Sequence, residues 1–219
     1  MELDTYNGIK AYTPLSLKLY DWWVLMLSNN YAWRCNTNKF LIPHFRKNIG
    51  INHMDVGVGS GFYLKSAEDK LTQLTLIDLN PHSLEYAKKY IPDVKLQHSL
   101  QHDIYNPLPE ELNKQFNSIS IFYLLHCLPG TMTDKKKAVD NISCALKDDG
   151  VLFGATIIGK NIKHNYLGRK LISNYNQKGI FSNYEDSVDS LQEILSSLFF
   201  NVDVNLKGTV ALFTAKNRK

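Results

Sequence analysis

The run His53-Met54-Asp55-Val56-Gly57-Val58-Gly59-Ser60-Gly61 sets an acid two residues ahead of three glycines spaced two apart. Glycines at that spacing let a backbone turn sharply and let a ligand approach main-chain N–H groups with no Cβ in the way. A helix starting behind them offers further unsatisfied N–H groups to an anion. Asp78 ends the apolar run Thr75-Leu76-Ile77, 21 residues after Gly57. A carboxylate at about that separation can accept hydrogen bonds from both ribose hydroxyls of a nucleoside. Asp103, followed by Ile104, comes after a third short run. Each has a plainer reading. The glycines can form an ordinary turn, Asp78 can cap or open the helix at Pro81, and Asp103 can serve a turn. Capping alone accounts poorly for three such features at successive strand ends.

The elements that must position these residues follow from periodicity. Thr13-Pro14 opens a helical stretch through Ser28, and a second spans about 38–48, with Pro43 as a kink and Gly50 as a stop. After Gly50, short apolar runs alternate with helical periods: strands at 51–56, 74–77, 94–97, 116–125 and 151–158, helices at 62–70, 81–90 and 134–146. That alternation implies βαβ units and a parallel sheet covered on both faces. The end breaks the pattern. A helix at 187–198 leads into strands at 199–205 and 209–215, too close together for a crossover, so they must pair antiparallel. The fold class is therefore α/β: a Rossmann-like, doubly wound sheet, mostly parallel, with a C-terminal antiparallel hairpin and an N-terminal helical extension. One domain is expected over 1–219: a helical extension (1–50) capping the substrate, a cofactor core (51–158), a lid (159–185) and a closing helix and hairpin (186–219).

With Asp55, the Gly57-x-Gly59-x-Gly61 loop, Asp78 and the terminal hairpin in view, residues 50–216 resemble the class I S-adenosylmethionine-dependent methyltransferases. The resemblance implies that Asp55, Gly57, Gly59 and Gly61 lie along the methionine part of S-adenosyl-L-methionine. It further implies that Asp78 holds the ribose, and that Asp103 meets the adenine amine with Ile104 as an apolar neighbour. The stretch Ser120-Ile121-Phe122-Tyr123-Leu124-Leu125-His126-Cys127-Leu128-Pro129 fills the fourth-strand position, where base-methylating members carry Asn/Asp-Pro-Pro-aromatic or Pro-Cys. Neither motif is present, which favours a small-molecule substrate over nucleic acid. Cys127 reads as a small buried residue rather than a nucleophile.

A sulfonium methyl is already activated, so catalysis is chiefly in-line positioning, where proximity is worth roughly 7–11 kcal/mol. His126, after the fourth strand, is the candidate general base, with a core histidine satisfied by a backbone group as its alternative. Substrate contacts are expected from the extension (Tyr20, Tyr31, Trp33), the fourth-strand stretch (Tyr123) and the lid (Tyr166). Aromatics there can stack on a planar molecule or face a sulfonium, although most, Trp22 and Trp23 among them, read better as packing.

Composition narrows the classes further. The chain has 219 residues, 44% hydrophobic, enough for a full core and against disorder. The formal net charge of +4 is scattered, and the run Lys135-Lys136-Lys137 reads as a solvated helix face. Three cysteines without CxxC spacing argue against a disulfide framework and a cysteine metal site, and no metal is expected. No signal peptide or membrane span is recognisable, so a cytoplasmic protein is expected. Two rival functions remain in view: a catalytically silent S-adenosylmethionine-binding or regulatory protein, and a nicotinamide-dependent oxidoreductase, against which the GxGxG spacing and the hairpin both speak.

Overall fold

The computed structural model describes residues 28–219 apart from 90, 93 and 94. Tyr20 and the first expected helix, including Trp22 and Trp23, lie outside the described residues.

Seven strands form one sheet: β1 (Asn52–Val56), β2 (Gln73–Asp78), β3 (Leu96–Gln101), β4 (Phe116–Phe122), β5 (Leu146–Ile157), β6 (Phe199–Lys207) and β7 (Val210–Arg218). Their order is β3-β2-β1-β4-β5-β7-β6. β1 to β5 pair parallel, whereas β7 pairs antiparallel with both β5 and β6. The chain moves outward from β1 through β2 and β3, then restarts beside β1 as β4. That reversal opens a crevice at the carboxyl ends of β1 and β4, where open α/β sheets bind ligands.

Six α-helices are described: α1 (Ile42–Asn48), α2 (Phe62–Ser66), α3 (Pro81–Lys88), α4 (Met132–Ser143), α5 (Tyr166–Gln177) and α6 (Val188–Leu198). Alternation along the strands divides the core in two. Met54 and Val56 of β1 and Ile119 and Ile121 of β4 face α4 and α6, packing on Val139, Ile142, Leu191 and Leu195. On the other face Leu74, Leu76 and Phe153 meet Phe45 of α1, Leu64 of α2 and Leu84 of α3. Side chains of opposite parity therefore enter different cores.

Several boundaries differ from those expected. β3 begins at Leu96, two residues after the expected start, and runs to Gln101, because its alternation is weak and largely exposed. The helix expected over 62–70 stops at Ser66, and turns follow. Pro43 does not kink a helix. It stands in the first turn of α1, where a π-helical turn over Thr37–Leu41 passes into α-helix and a missing N–H costs little. Ile49 ends that helix in extended conformation, while Gly50 serves packing: a Cβ there would come within 2.8 Å of the Asn117 Cβ. Asp148-Asp149-Gly150, between the expected helix at 134–146 and strand at 151–158, form a register jump inside β5, whose pairing passes from Phe116↔Leu146 to Ser118↔Val151. The hairpin turns on two residues, Gly208 and Thr209, with Lys207 paired to Val210 and Gly208 at φ +61°.

The triple-lysine run is not a solvated face. Lys135 is fully buried and pairs with buried Asp186 at 2.6 Å, also donating to the Ser182 carbonyl at 2.6 Å. The helical period places Lys135 with Ala138, Val139 and Ile142 on the core face, while Lys137 turns to water. Among the described residues no helix is long and apolar enough to cross a membrane.

Candidate functional site

The glycine loop lies between β1 and α2, and its three glycines do different work. Gly57 has φ +73°, and a Cβ there would stand 2.9 Å from Leu124 Cδ1, so the loop after β4 lies directly on it. Gly59 has φ +53°, and a Cβ there would meet no atom of the described residues within 4 Å. Gly61 precedes α2 and packs against α3, with a virtual Cβ 3.1 Å from that of Ala87. Gly57 and Gly61 therefore allow close packing, while Gly59 leaves the approach to the backbone open.

Asp78, at the end of β2, is tied to this loop. The Gly59 N–H points to its Oδ2 at 3.4 Å, and the Asn80 N–H donates to Oδ1 at 2.8 Å. Asn80, not Asp78, caps α3, accepting from the His82 N–H at 2.9 Å. The capping role that competed for Asp78 is thus taken by a neighbour. Burial pushes the Asp78 carboxyl up to about 6, against the pull of the Asn80 and Gly59 N–H groups. At neutral pH it is mostly an anion able to accept hydroxyl protons.

Asp55, at the buried end of β1, accepts a hydrogen bond from the Ser120 hydroxyl on β4. Burial pushes this carboxyl up to about 7; Ser120 opposes the rise and the charge of Asp78 adds to it. Asp103 accepts from the Tyr105 N–H at 3.0 Å, the turn role anticipated as its alternative. Its segment reaches the β2 end through the His102 N–H, which donates to the Asp78 carbonyl at 3.1 Å. Ile104 is buried in the core on the α4 side. Asp55, the three glycines, Asp78 and Asp103 thus gather at one edge of the sheet. A Cβ at Gly59 would meet no described atom within 4 Å, and this, with acids at or just beyond the ends of β1, β2 and β3, fits a nucleoside-bearing cofactor carrying a charged tail.

Tyr123 follows β4 with φ +55°, a costly conformation for a bulky side chain and one that concentrates at functional sites. Its N–H donates to the Ala155 carbonyl at 2.7 Å, and its hydroxyl donates to Asn29 Oδ1 at 2.9 Å. The strained turn sends the ring toward the N-terminal segment, one residue before the Leu124 that covers Gly57.

The remaining expected contacts are distributed differently. His126 is 1% exposed, with its ring edge-on to Tyr123 and Phe181, centroids 5.5 and 4.5 Å away. The Ile157 N–H donates to its Nδ1 at 3.3 Å. Burial, with nearby Lys135 adding to the effect, pushes its imidazole down to about 3. A neutral ring so weakly basic and so enclosed is a packing residue, which corrects the expectation of a general base. Trp33 is 1% exposed and packs against His164 and Phe181, so it is core rather than pocket wall. Tyr31 and Tyr166 are 65% and 74% exposed, on neighbouring stretches joined by Asn165 Nδ2 donating to the Tyr31 carbonyl at 2.6 Å. Burial pushes the Cys127 thiol up to about 12, which keeps it protonated and agrees with the non-nucleophilic reading. No metal-binding cluster occurs among the described residues.

Ser120, Leu124 and Asn29 went unassigned in the sequence although they shape this edge. A period-2 pair of polar residues inside an apolar strand, Ser118 and Ser120, was the available signal for the first of them.

Residues 54–152 match the family described as a methyltransferase domain. A "Physcion biosynthesis cluster O-methyltransferase" of Aspergillus chevalieri is 41% identical over 216 residues, covering 98% of this chain and 97% of its own. This chain belongs to the class I S-adenosylmethionine-dependent methyltransferases. The Escherichia coli (strain K12) protein YbcY is 47% identical over 193 residues, 88% of this chain and 99% of its own. Among solved structures, the fold is similar to the Haemonchus contortus phosphoethanolamine N-methyltransferase 2 complex with S-adenosylhomocysteine, with TM-score 0.68 and 17% identity over 93% of this chain and 47% of that one. As a methyltransferase, the chain uses S-adenosyl-L-methionine and transfers its methyl group to small molecules. The nicotinamide oxidoreductase reading and the silent-protein reading give way to that assignment.

Proposed function

We propose that this methyltransferase alkylates an oxygen of a small aromatic or polyketide-like molecule. The observation that carries this reading is the 41% identity to a named O-methyltransferase along nearly the whole of both chains, including the segments outside the cofactor core. The missing base-methylation motifs keep nucleic acid out of the proposal.

Asp78 would hold the ribose hydroxyls and the Gly59 edge of the loop would admit the charged tail. Asp55 would fix the start of that loop, and Asp103 with Ile104 would border the adenine. Bound there, S-adenosyl-L-methionine supplies an electrophilic methyl. The protein's part is to hold the acceptor in line and exclude water. Tyr123, aimed by its strained backbone, is the proposed inner contact, and Tyr31 and Tyr166 the proposed rim; Tyr20 is proposed from sequence only. Residues 159–185 would cover the substrate as a segment fastened at its far end. There Asp186 is clasped by Lys135, and the Ser182 N–H donates to the His126 carbonyl at 2.8 Å.

The test is turnover of methyl-labelled S-adenosylmethionine with matched phenol, aniline and carbon-acid acceptors. Label in an aryl methyl ether is expected. Turnover confined to nitrogen or carbon acceptors would refute the oxygen assignment.

A further inference from the structure

His53 and Asp55 lie on one face of β1, and Ser118 and Ser120 on the same face of β4, in direct register as His53↔Ser118 and Asp55↔Ser120. All four are buried. Ser118 Oγ lies 2.7 Å from His53 Nδ1, and Ser120 Oγ lies 3.0 Å from His53 Nε2 and donates to Asp55 Oδ1. Beyond Ser118, the Gly50 N–H donates to the same hydroxyl at 2.7 Å. Phe45 and Phe153 close over the imidazole, each with its centroid 5.8 Å away.

Donor bookkeeping gives this chain a direction. With Asp55 ionised, Ser120 spends its proton on the carboxylate and must accept from His53 Nε2–H. The neutral imidazole then offers its Nδ1 lone pair to the Ser118 hydroxyl proton. With Asp55 protonated, the carboxyl O–H can donate to Ser120, Ser120 to Nε2, and Nδ1–H to Ser118. Both arrangements satisfy every ring nitrogen, and they differ in His53 tautomer. The imidazole stays neutral in both, because burial pushes it down to about 3.

We propose that His53 and Ser120 are positioning residues for Asp55, forming a hydrogen-bond chain whose direction and His53 tautomer reverse when cofactor binding strips the proton from this carboxyl. The proposal rests on the reading of Asp55 as a cofactor-loop acid. On binding, the Asp55 O–H bond breaks, its electron pair stays on oxygen, and one proton passes to the buffer. No other covalent chemistry is involved. The charged and titratable groups facing Asp55 are His53 on its own strand and Asp78 on β2, while β4 contributes the hydroxyls. Burial raises the Asp55 carboxyl and the charge of Asp78 adds to the rise, so both favour the protonated form until a cation arrives.

The test uses the full chain labelled with 15N-histidine and titrated with S-adenosylmethionine between pH 6 and 9. Calorimetry in buffers of different ionisation enthalpy counts released protons in parallel. The proposal expects the His53 nitrogen shifts to move from the Nδ1–H toward the Nε2–H pattern at pH 6.5. It also expects proton release to fade above pH 8. Ser120→Ala should abolish the tautomer change and weaken binding by about tenfold more at pH 6 than at pH 9. Ser118→Ala, which leaves the Asp55 contact intact, should blunt the tautomer change alone. It serves if the first variant folds poorly. Saturable binding with unmoved His53 shifts, or an equal loss at every pH in Ser120→Ala, would overturn the relay while leaving the cofactor site standing. No binding to the parent protein would overturn the cofactor site and the relay together.

Discussion

Gly57 and Gly59 share a left-handed backbone but face opposite surroundings, and substitution should separate them. An Ala at 57 would press on Leu124, whereas one at 59 would project into open space. Both carry the roughly 1–2 kcal/mol cost of a left-handed alanine. Gly59→Ala is therefore expected to lose about that much stability while weakening S-adenosylhomocysteine binding at least tenfold. Gly57→Ala should lose more stability, through the added overlap. Urea unfolding beside calorimetry checks both, and unchanged affinity in Gly59→Ala would mean the cofactor does not approach there. Asp55 supplies a pH signature. Its native carboxyl, raised to about 7, binds a proton that the unfolded chain has already lost above about pH 4. Stability therefore falls as pH climbs from about 4 to about 7 and is flat beyond. Asp55→Asn should match the parent near pH 4 and exceed it by an amount on the order of 2–4 kcal/mol at pH 8 without cofactor. A pH-independent difference would show that Asp55 is not so enclosed. At this scale the gathering of the glycines and Asp78 at one sheet edge was legible because it follows from short spacings at successive strand ends. His53 and Ser120 were not, since their meeting depends on the β1–β4 register across 67 residues of chain. His126 misled because a histidine at a strand end looks the same whether it faces a crevice or a core.

The elements most readable in advance were those with long periodicity, such as α6, or a forced connection, such as the final hairpin. β3 was displaced because its side chains are mostly exposed, leaving little apolar alternation to locate it. The buried role of Lys135 was hidden for a related reason: helical phase put one lysine of three on the core face, and its partner Asp186 lies 51 residues away. This pair fastens the return of the 159–185 segment to α4, since the Asp186 carbonyl also accepts from the N–H groups of Gly159 and Lys160 at 3.0 and 2.9 Å. Burial pushes Lys135 down and Asp186 up, and each charge opposes the other's shift. Removing one partner strands the other, so Lys135→Ala should cost about 3–5 kcal/mol in urea unfolding. Exposed Lys137→Ala should stay within about 0.5 kcal/mol of the parent. Equal effects of the two substitutions would deny the clasp.

At the scale of the whole molecule, the β1/β4 reversal gathers the ends of three strands at one edge of the sheet; if one ligand spans them as proposed, binding should brace the sheet rather than a single loop. A ligand that binds only the folded chain stabilises it by RT ln(1 + [L]/Kd), about 2.7 kcal/mol at a hundredfold excess over Kd. For a chain of this size that corresponds to a rise of roughly 5–10 °C in Tm. S-adenosylhomocysteine at that excess should produce such a shift, and NADH at the same concentration should produce none, because the GxGxG loop and the antiparallel end of the sheet belong to the methyl-transfer architecture. The gain should also shrink in Asp78→Ala, which loses the β2 contribution yet leaves the glycine loop in place. An undiminished shift in that variant would mean the three strand ends do not act on one ligand, and that the ribose is held by other groups.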